Sequence, residues 1–361
     1  MKGKVYSIGM IGCGVHARTR LLPALKYCRK ARIAALADPA RDLSAERAVW
    51  GGPKTYSDHR AMLDDRSISL DAVIVATPPD SHREIATFCM GKGKHVLLEK
   101  PVALTLRDAR ALVEARDRTG VKVMVGHQRR FSPMDNSVRD LYGKGLIGKT
   151  VAINAVHEFS SDSRGAATGY LKKRELSGGV IMEYACHDID FFRYLLGAEA
   201  VEVYARVSST HADDDTAALV VTFSNGVIAN LTLSSCTVDE EHLEIFGTEG
   251  IIRSDRYRTV KAEIDLIKGL KDRKMRALKT FARGFKSLML LKYAFKRNIL
   301  AAYISEIGHF IDSIEEGKDP VPGLEDGIKA MEAADAAIRS GISGKPVRVC
   351  GPEECKGGAN D

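Results

Sequence analysis

The chain has 361 residues, 45% hydrophobic and 28% charged, which suits about two globular domains, each able to bury its own core. No run approaches the ~20 apolar residues of a bilayer span, and the first apolar stretch, Val5 to Cys13, is too short and too glycine-interrupted for a signal peptide. Residues 271–297 carry ten Lys/Arg and one acid, Asp272, a net +9 against +7 for the whole chain, so the rest sums to −2 and the basicity is local, not a nucleic-acid signature.

The seven cysteines are scattered, odd in number and include no Cys-x-x-Cys. Reduced thiols in a cytoplasmic protein are therefore expected, with no disulfide framework and no metal site.

Val5–Ile11 reads as an apolar strand. The turn Gly12-Cys13-Gly14-Val15-His16-Ala17 follows, then a helical run through Leu21, Leu22 and Leu25, then a second strand, Ile33–Ala37, ending in Asp38. This is the strand–glycine turn–helix–strand fingerprint of a dinucleotide site. Gly12 permits the tight turn. Gly14 lets the backbone approach a diphosphate, and Ala17 lets helix and strand pack closely. The phosphates then sit on the helix N-terminus, where Val15 and His16 supply backbone N–H groups and the dipole favours anions. Asp38 accepts from ribose hydroxyls and repels a 2′-phosphate, which favours NAD. Arg41 nearby could pair with that phosphate, so NADP stands as the alternative.

Ala72–Ala76 is the next strand, ending in Thr77-Pro78-Pro79-Asp80-Ser81-His82 and followed by a helix to about Met90. Thr77 and Pro78 either line the nicotinamide half of the site or merely stiffen a loop that caps the helix. The run His95-Val96-Leu97-Leu98 then ends in Glu99-Lys100-Pro101. Pro101 cannot join a sheet ladder and restricts the residue before it, so the backbone aims Lys100 at a defined point. Alone, the pair would read as a solvated strand-end charge. In a parallel sheet with right-handed crossovers, however, all these strand ends share one edge, so Lys100 opens beside the glycine turn. A helix over Leu106–Thr119 and a strand over Lys122–Gly126 complete the first half.

After Gly126 the pattern changes to a helix near Pro133–Lys144 and long alternating strands at Val151–Phe159, Val201–Val207, Ala217–Phe223, Val227–Ser234 and Leu243–Phe246. Short turns such as Ser224-Asn225-Gly226 imply a mainly antiparallel sheet. Between strands, Ser177-Gly178-Gly179 enters a helix that carries Glu183, His187 and Asp190. Glu183 and His187 are i, i+4 on one helical face, where a carboxylate fixes the tautomer of a histidine and raises its basicity. Asp190 reads as structural. Helices near Ala301–Gly317 and Glu325–Gly341 close the chain.

Residues 271–297 form a basic amphipathic insertion, with Met275, Leu278, Ala282, Phe285, Leu288 and Met289 at helical spacing. The favoured reading packs this apolar face on protein. Peripheral contact with anionic lipid, or a lid over a phosphorylated substrate, is the alternative.

These residues resemble the Gfo/Idh/MocA oxidoreductases (glucose–fructose oxidoreductase, inositol dehydrogenase and relatives). The likeness rests on the glycine turn, Ala76-Thr77-Pro78-Pro79 with His82, Glu99-Lys100-Pro101, Gly126 to Arg130-Phe131, Gly178-Gly179 to Asp190, and Gly247-Thr248-Glu249-Gly250. It implies an α/β Rossmann domain with a mostly parallel doubly wound sheet over 1–126. It also implies an α+β domain with a large, mainly antiparallel, open-faced sheet over 127–361, serving substrate binding and homo-oligomers (dimer or tetramer).

The resemblance further implies NAD(P)-linked hydride transfer at a carbinol or ketone of a sugar, cyclitol or sugar nucleotide. Lys100 would bind the reacting hydroxyl and His187 would act as acid/base. Glu183 stands where most members carry Asp. Cofactor contacts are expected from Gly12, Gly14, Val15, His16, Ala17, Asp38, Arg41, Thr77, Pro78, His82, Glu99 and Lys100. Substrate contacts are expected from Lys100, Arg130, Tyr170, Glu183 and His187. Two other functions are open: glycoside elimination through transient redox with tightly bound, recycled NAD, and a redox-silent NAD(P)-sensing regulator.

Overall fold

The computed structural model describes residues 4–160, 172–257, 259, 261–266 and 299–349. The insertion at 271–297 and Tyr170 therefore lie outside the described residues. The chain forms two compact units, one from Met1–Phe131 with Leu300–Ile328, the other from Ser132–Ile299 with Lys329–Asp361. Among the described residues no helix is long and apolar enough to cross a membrane.

In the first unit, strands β1 (Tyr6–Ile11), β2 (Ala31–Ala37), β3 (Lys54–Tyr56), β4 (Ala72–Val75), β5 (His95–Glu99) and β6 (Val123–Gly126) make one sheet in the order β3-β2-β1-β4-β5-β6. Every pairing is parallel. Such strands are covered on both faces, which is why β4 is the unbroken apolar run Ala72-Val73-Ile74-Val75, all buried. The covering helices are α1 (Leu22–Tyr27), α2 (Ser44–Val49), α3 (His59–Asp64), α4 (Pro79–Gly91) and α5 (Leu106–Thr119). α5 shows its sequence logic at both ends. The Thr105 hydroxyl accepts from the Asp108 N–H, and Gly120, at φ 67°, ends the helix in the left-handed region. Strand order reverses between β1 and β4, and open sheets of this kind bind ligands at the carboxyl edge of that point.

A single cut at 126/127 does not describe the units, because a helix over residues 299–316 belongs to the first one. The contacts show why. The ring of Tyr303 lies edge-on to His16 at 5.5 Å, and His309 packs on Phe131 at 5.3 Å. Lys30 donates to Asp312 at 2.7 Å and to Glu315 at 2.6 Å. No local sequence pattern reports such contacts, which span more than 170 residues of chain.

In the second unit, α6 (Pro133–Tyr142) leads to β7 (Thr150–Ser160), α7 (Arg174–Ser177) and α8 (Cys186–Leu196). Then come β8 (Ala200–Ser208), β9 (Thr216–Phe223), β10 (Ile228–Ser234), β11 (Cys236–Gly247), β12 (Gly250–Asp255) and β13 (Glu263–Leu266). The helix over residues 299–316 is α9, followed by α10 (Leu324–Ser343) and β14 (Val347–Arg348). The sheet order is β13-β12-β11-β7-β10-β9-β8-β14.

All neighbours in this sheet are antiparallel except β7 with β10. The next described elements after β7 are the helices α7 and α8, and β7 does not pair with the strand that follows them, β8. Burial alternates along the strands, as in β10, where Ala229, Leu231 and Leu233 are buried while Ile228, Asn230 and Thr232 are exposed. One face of the sheet is core and the other is open.

Candidate active site

β1 ends at Ile11 and the chain turns on Gly12, whose φ is +86°. A Cβ at Gly12 would stand 2.6 Å from the carbonyl oxygen of Ala76, so close approach and backbone conformation both demand glycine. At Gly14 an added Cβ would meet nothing within 4 Å, which leaves open space in front of the turn. Helical structure runs over residues 15–27, with a π-turn at Ala17–Leu21 and the Ala17 side chain fully buried. Its first N–H groups have no intrahelical acceptor and face that space. An open cradle beside unclaimed amides fits a dinucleotide's diphosphate.

Asp38 is buried at the end of β2 and accepts from the Cys13 N–H at 2.8 Å and the Ala40 N–H at 2.9 Å, while Arg41 is exposed. Burial, then the charge of Asp38, pushes the Cys13 thiol up to about 12, so Cys13 is packing and not a nucleophile. When bound, NAD would place its diphosphate at residues 14–16 and its ribose at Asp38, and its nicotinamide would supply the hydride acceptor.

At the ends of β4 and β5, Thr77 and Pro78 precede α4, and the Ser81 hydroxyl donates to the Thr77 hydroxyl at 2.8 Å. The ring nitrogens of His82 both meet backbone carbonyls. It is fully buried, with Nδ1 2.9 Å from the carbonyl oxygen of Pro101 and Nε2 2.8 Å from that of Thr77. Its ring ties together the two loops that leave β4 and β5. Burial pushes its pKa down, opposed by the two carbonyls and the charge of Glu99.

Glu99 is buried at the end of β5, and its Oε1 lies 3.0 Å from Nε2 of half-exposed His16. The Lys100 N–H reaches Oε2 of Glu99 at 3.3 Å. Burial opposes the charged form of Glu99, but the charges of His16 and Lys100 and their hydrogen bonds prevail and hold its carboxyl below the usual range. A Cβ at Gly126 would stand 3.1 Å from that carboxylate, so the glycine ending β6 makes room for it.

Glu306 of α9 is fully buried, and neither carboxyl oxygen has a hydrogen-bond partner among the described residues. Burial, then the charge of Glu99, pushes its pKa well above the usual carboxylate range. Sequence reading missed Glu306 because a lone Glu on an amphipathic helix reads as a surface residue. The signal was its spacing: Glu306 lies i+3 from Tyr303 and i−4 from Phe310, both buried.

In the second unit Gly178 and Gly179 both have positive φ, 77° and 69°, and the Val180 N–H donates to the carbonyl of Asp214 at 2.9 Å. Helical structure then runs over residues 179–196. Glu183, half-buried, lies inside a π-turn spanning Ile181–Ala185, and His187, buried, lies in α8. The π-turn bonds i to i+5, so the backbone ladder between these two residues departs from that of a regular α-helix.

Beside them, Nδ1 of His157 lies 3.0 Å from Oδ2 of Asp188, and the Tyr184 ring packs on Phe159 at 4.3 Å. This pair was also missed, because nothing local links β7 to α8. Asp190, fully buried, pairs with Arg193 at 3.7 Å. Arg130 is buried in the first unit, and its guanidinium donates to Asp326 at 2.8 Å.

Residues 6–127 match a family profile described as an oxidoreductase family with an NAD-binding Rossmann fold, and residues 136–253 match the GFO/IDH/MocA C-terminal domain. Among similar proteins, a myo-inositol 2-dehydrogenase from Thermotoga maritima is 28% identical over 347 residues, covering 92% of this chain and 95% of that protein. An inositol 2-dehydrogenase 2 from Saccharopolyspora erythraea is 34% identical over 63% of this chain and 66% of its own. The crystal structure of an oxidoreductase from Agrobacterium radiobacter, in complex with NAD+, L-tartaric acid and magnesium, shares the fold. Its TM-score is 0.79 at 23% identity, covering 95% of this chain and 98% of that one. With the parallel sheet, the glycine turn and both family domains present, the chain belongs to the Gfo/Idh/MocA family and is an NAD-dependent dehydrogenase of CH–OH groups.

Proposed function

We propose that the substrate is a cyclitol or sugar, oxidised or reduced at one carbinol carbon, with Lys100 at the reacting oxygen and His187 as the acid/base. The observation that carries this reading is the placement of Lys100 directly after Glu99, at the carboxyl edge of the sheet that also holds the glycine turn. The myo-inositol 2-dehydrogenase that matches 92% of the chain supports a polyhydroxylated ring as substrate.

In the oxidative direction, bound NAD would accept the hydride from the carbinol carbon. A carbinol proton does not leave unaided near neutral pH. His187 takes it, while the Lys100 ammonium stabilises the charge growing on oxygen. In the reductive direction His187 returns the proton. The strand end fixes the backbone of Lys100, so its ammonium has a short reach to that charge.

A homo-oligomer formed through the open sheet face, where Val220 and Ile228 are exposed, and a cytoplasmic setting belong to the same reading. Screening inositols, sugars and sugar nucleotides for NADH formation tests it. Turnover with one ring class supports the reading. Glycoside cleavage without net NADH would replace it with the elimination chemistry, and silence on every polyol would sink it.

A further inference from the structure

Three facts meet at Glu306. Its side chain is fully buried, and its two carboxyl oxygens have no hydrogen-bond partner among the described residues. It stands one helical turn from Tyr303, whose ring lies 5.5 Å from the ring of His16. His16 in turn is bonded at 3.0 Å to Glu99, the residue before Lys100. So a second carboxyl group, also buried, lies within reach of the charge on the carboxylate that ends β5. Two like charges in one buried site do not both persist, and the site therefore retains a proton.

We propose that Glu306 is a specificity-determining residue for the charge of the nicotinamide ring: with Glu99 it forms a buried carboxyl pair holding one proton, and binding of NAD+, but not of NADH, expels that proton. The inference rests on the reading that NAD lies along this sheet edge. The oxidised ring is a cation and the reduced ring is neutral. A cation arriving at the ends of β4 and β5 stabilises a second negative charge in the pair, and the neutral ring does not.

The groups facing the pair agree with this direction. Glu99 and Lys100 come from β5, His16 from the helix after β1, His82 from α4, and Tyr303 from α9 itself. Burial and the charge of Glu99 both push Glu306 toward its protonated form. His16, bonded to Glu99 and with its side chain 42% exposed, is the solvent-facing end of this group. The step balances: the protonated pair plus NAD+ gives the doubly ionised pair with NAD+ bound, plus one solvent proton.

Titration calorimetry of the full chain with NAD+ and with NADH, each in two buffers of different ionisation enthalpy, measures the released proton. The expected result is release with NAD+ only, and release by neither nucleotide in Glu306→Gln. NAD+ affinity of the wild type should rise with pH by up to about tenfold per unit where the pair titrates, and that of Glu306→Gln should stay flat. Should Glu306→Gln fail to fold, infrared difference spectra of the wild type decide instead. Loss of a protonated-carboxyl C=O band on adding NAD+, and not on adding NADH, supports the inference. Equal proton release by both nucleotides, release unchanged in Glu306→Gln, or no protonated-carboxyl band overturns it. Failure of both nucleotides to bind overturns it together with the reading beneath it.

Discussion

The Nε2 of His16 lies 3.0 Å from the Oε1 of Glu99, a bond that joins the helix after β1 to the end of β5. The same bond couples the geometry of the glycine turn to the placement of Lys100. His16→Ala removes the main positive partner of Glu99 and leaves Lys100 alone to oppose burial of the carboxylate. A charge-assisted hydrogen bond is worth about 1.5–3 kcal/mol, and the half-exposure of His16 brings this to about 1 kcal/mol. Cofactor affinity should therefore fall by about fivefold in a fluorescence titration with NADH. Unchanged affinity would remove His16 from the site.

Gly126→Ala places a methyl group against the Glu99 carboxylate at 3.1 Å. The carboxylate and the His16 bond must shift to admit it. Overpacking of this kind costs about 1–3 kcal/mol, so thermal unfolding should move to lower temperature and NADH should bind more weakly. A variant with wild-type stability and affinity would show that β6 yields without disturbing Glu99.

Glu306 and Glu99 act oppositely on stability as pH changes. Glu306 is held above its ordinary value of 4.5, so the folded state keeps a proton that the unfolded chain has lost. Its contribution to stability therefore declines as pH rises above that value, by up to about 1.4 kcal/mol per unit. Glu99 is held below 4.5, so its contribution is complete above that value and is lost as pH falls through the lower folded value. Glu306→Gln removes only the first slope. Denaturant unfolding from about pH 5 to pH 8 should show the variant gaining steadily on the wild type. Parallel curves would mean that Glu306 is already ionised.

Lys100→Met and His187→Ala should each lower turnover by ~10²–10⁴-fold while NADH binding persists. Steady-state rates with the substrate found by screening, set beside the NADH titration, separate chemistry from binding. Near-normal turnover in either variant would cancel that residue's assigned role.

The first sheet was legible because its signals are local. The apolar runs of β1, β4 and β5, the glycines at 12 and 14 and the proline at 101 each act within a few residues of their own position. The boundaries of α5 fell where Thr105 and Gly120 place them, since both caps are written in the sequence. What escaped depends on contacts distant in the chain. Glu306 gains meaning only beside Glu99, about 200 residues earlier, and His157 only beside Asp188. The π-turn at Ile181–Ala185 was equally hidden, because residue types in one helical turn do not report whether the ladder has slipped by one residue.

The return of residues 300–328 to the first unit has a consequence for synthesis on the ribosome. An emerging amino-terminal half can pair its six parallel strands early, but Tyr303, Glu306 and His309 have not yet been translated. His16 and Phe131 then lack their aromatic neighbours while the strands of the second sheet are being made. The nucleotide-binding unit completes itself only once residues 300–328 are made, after strands β7 to β13, so a nascent chain holds an unfinished surface while those strands emerge. The order of birth along the chain is thus not the order in which the units become whole.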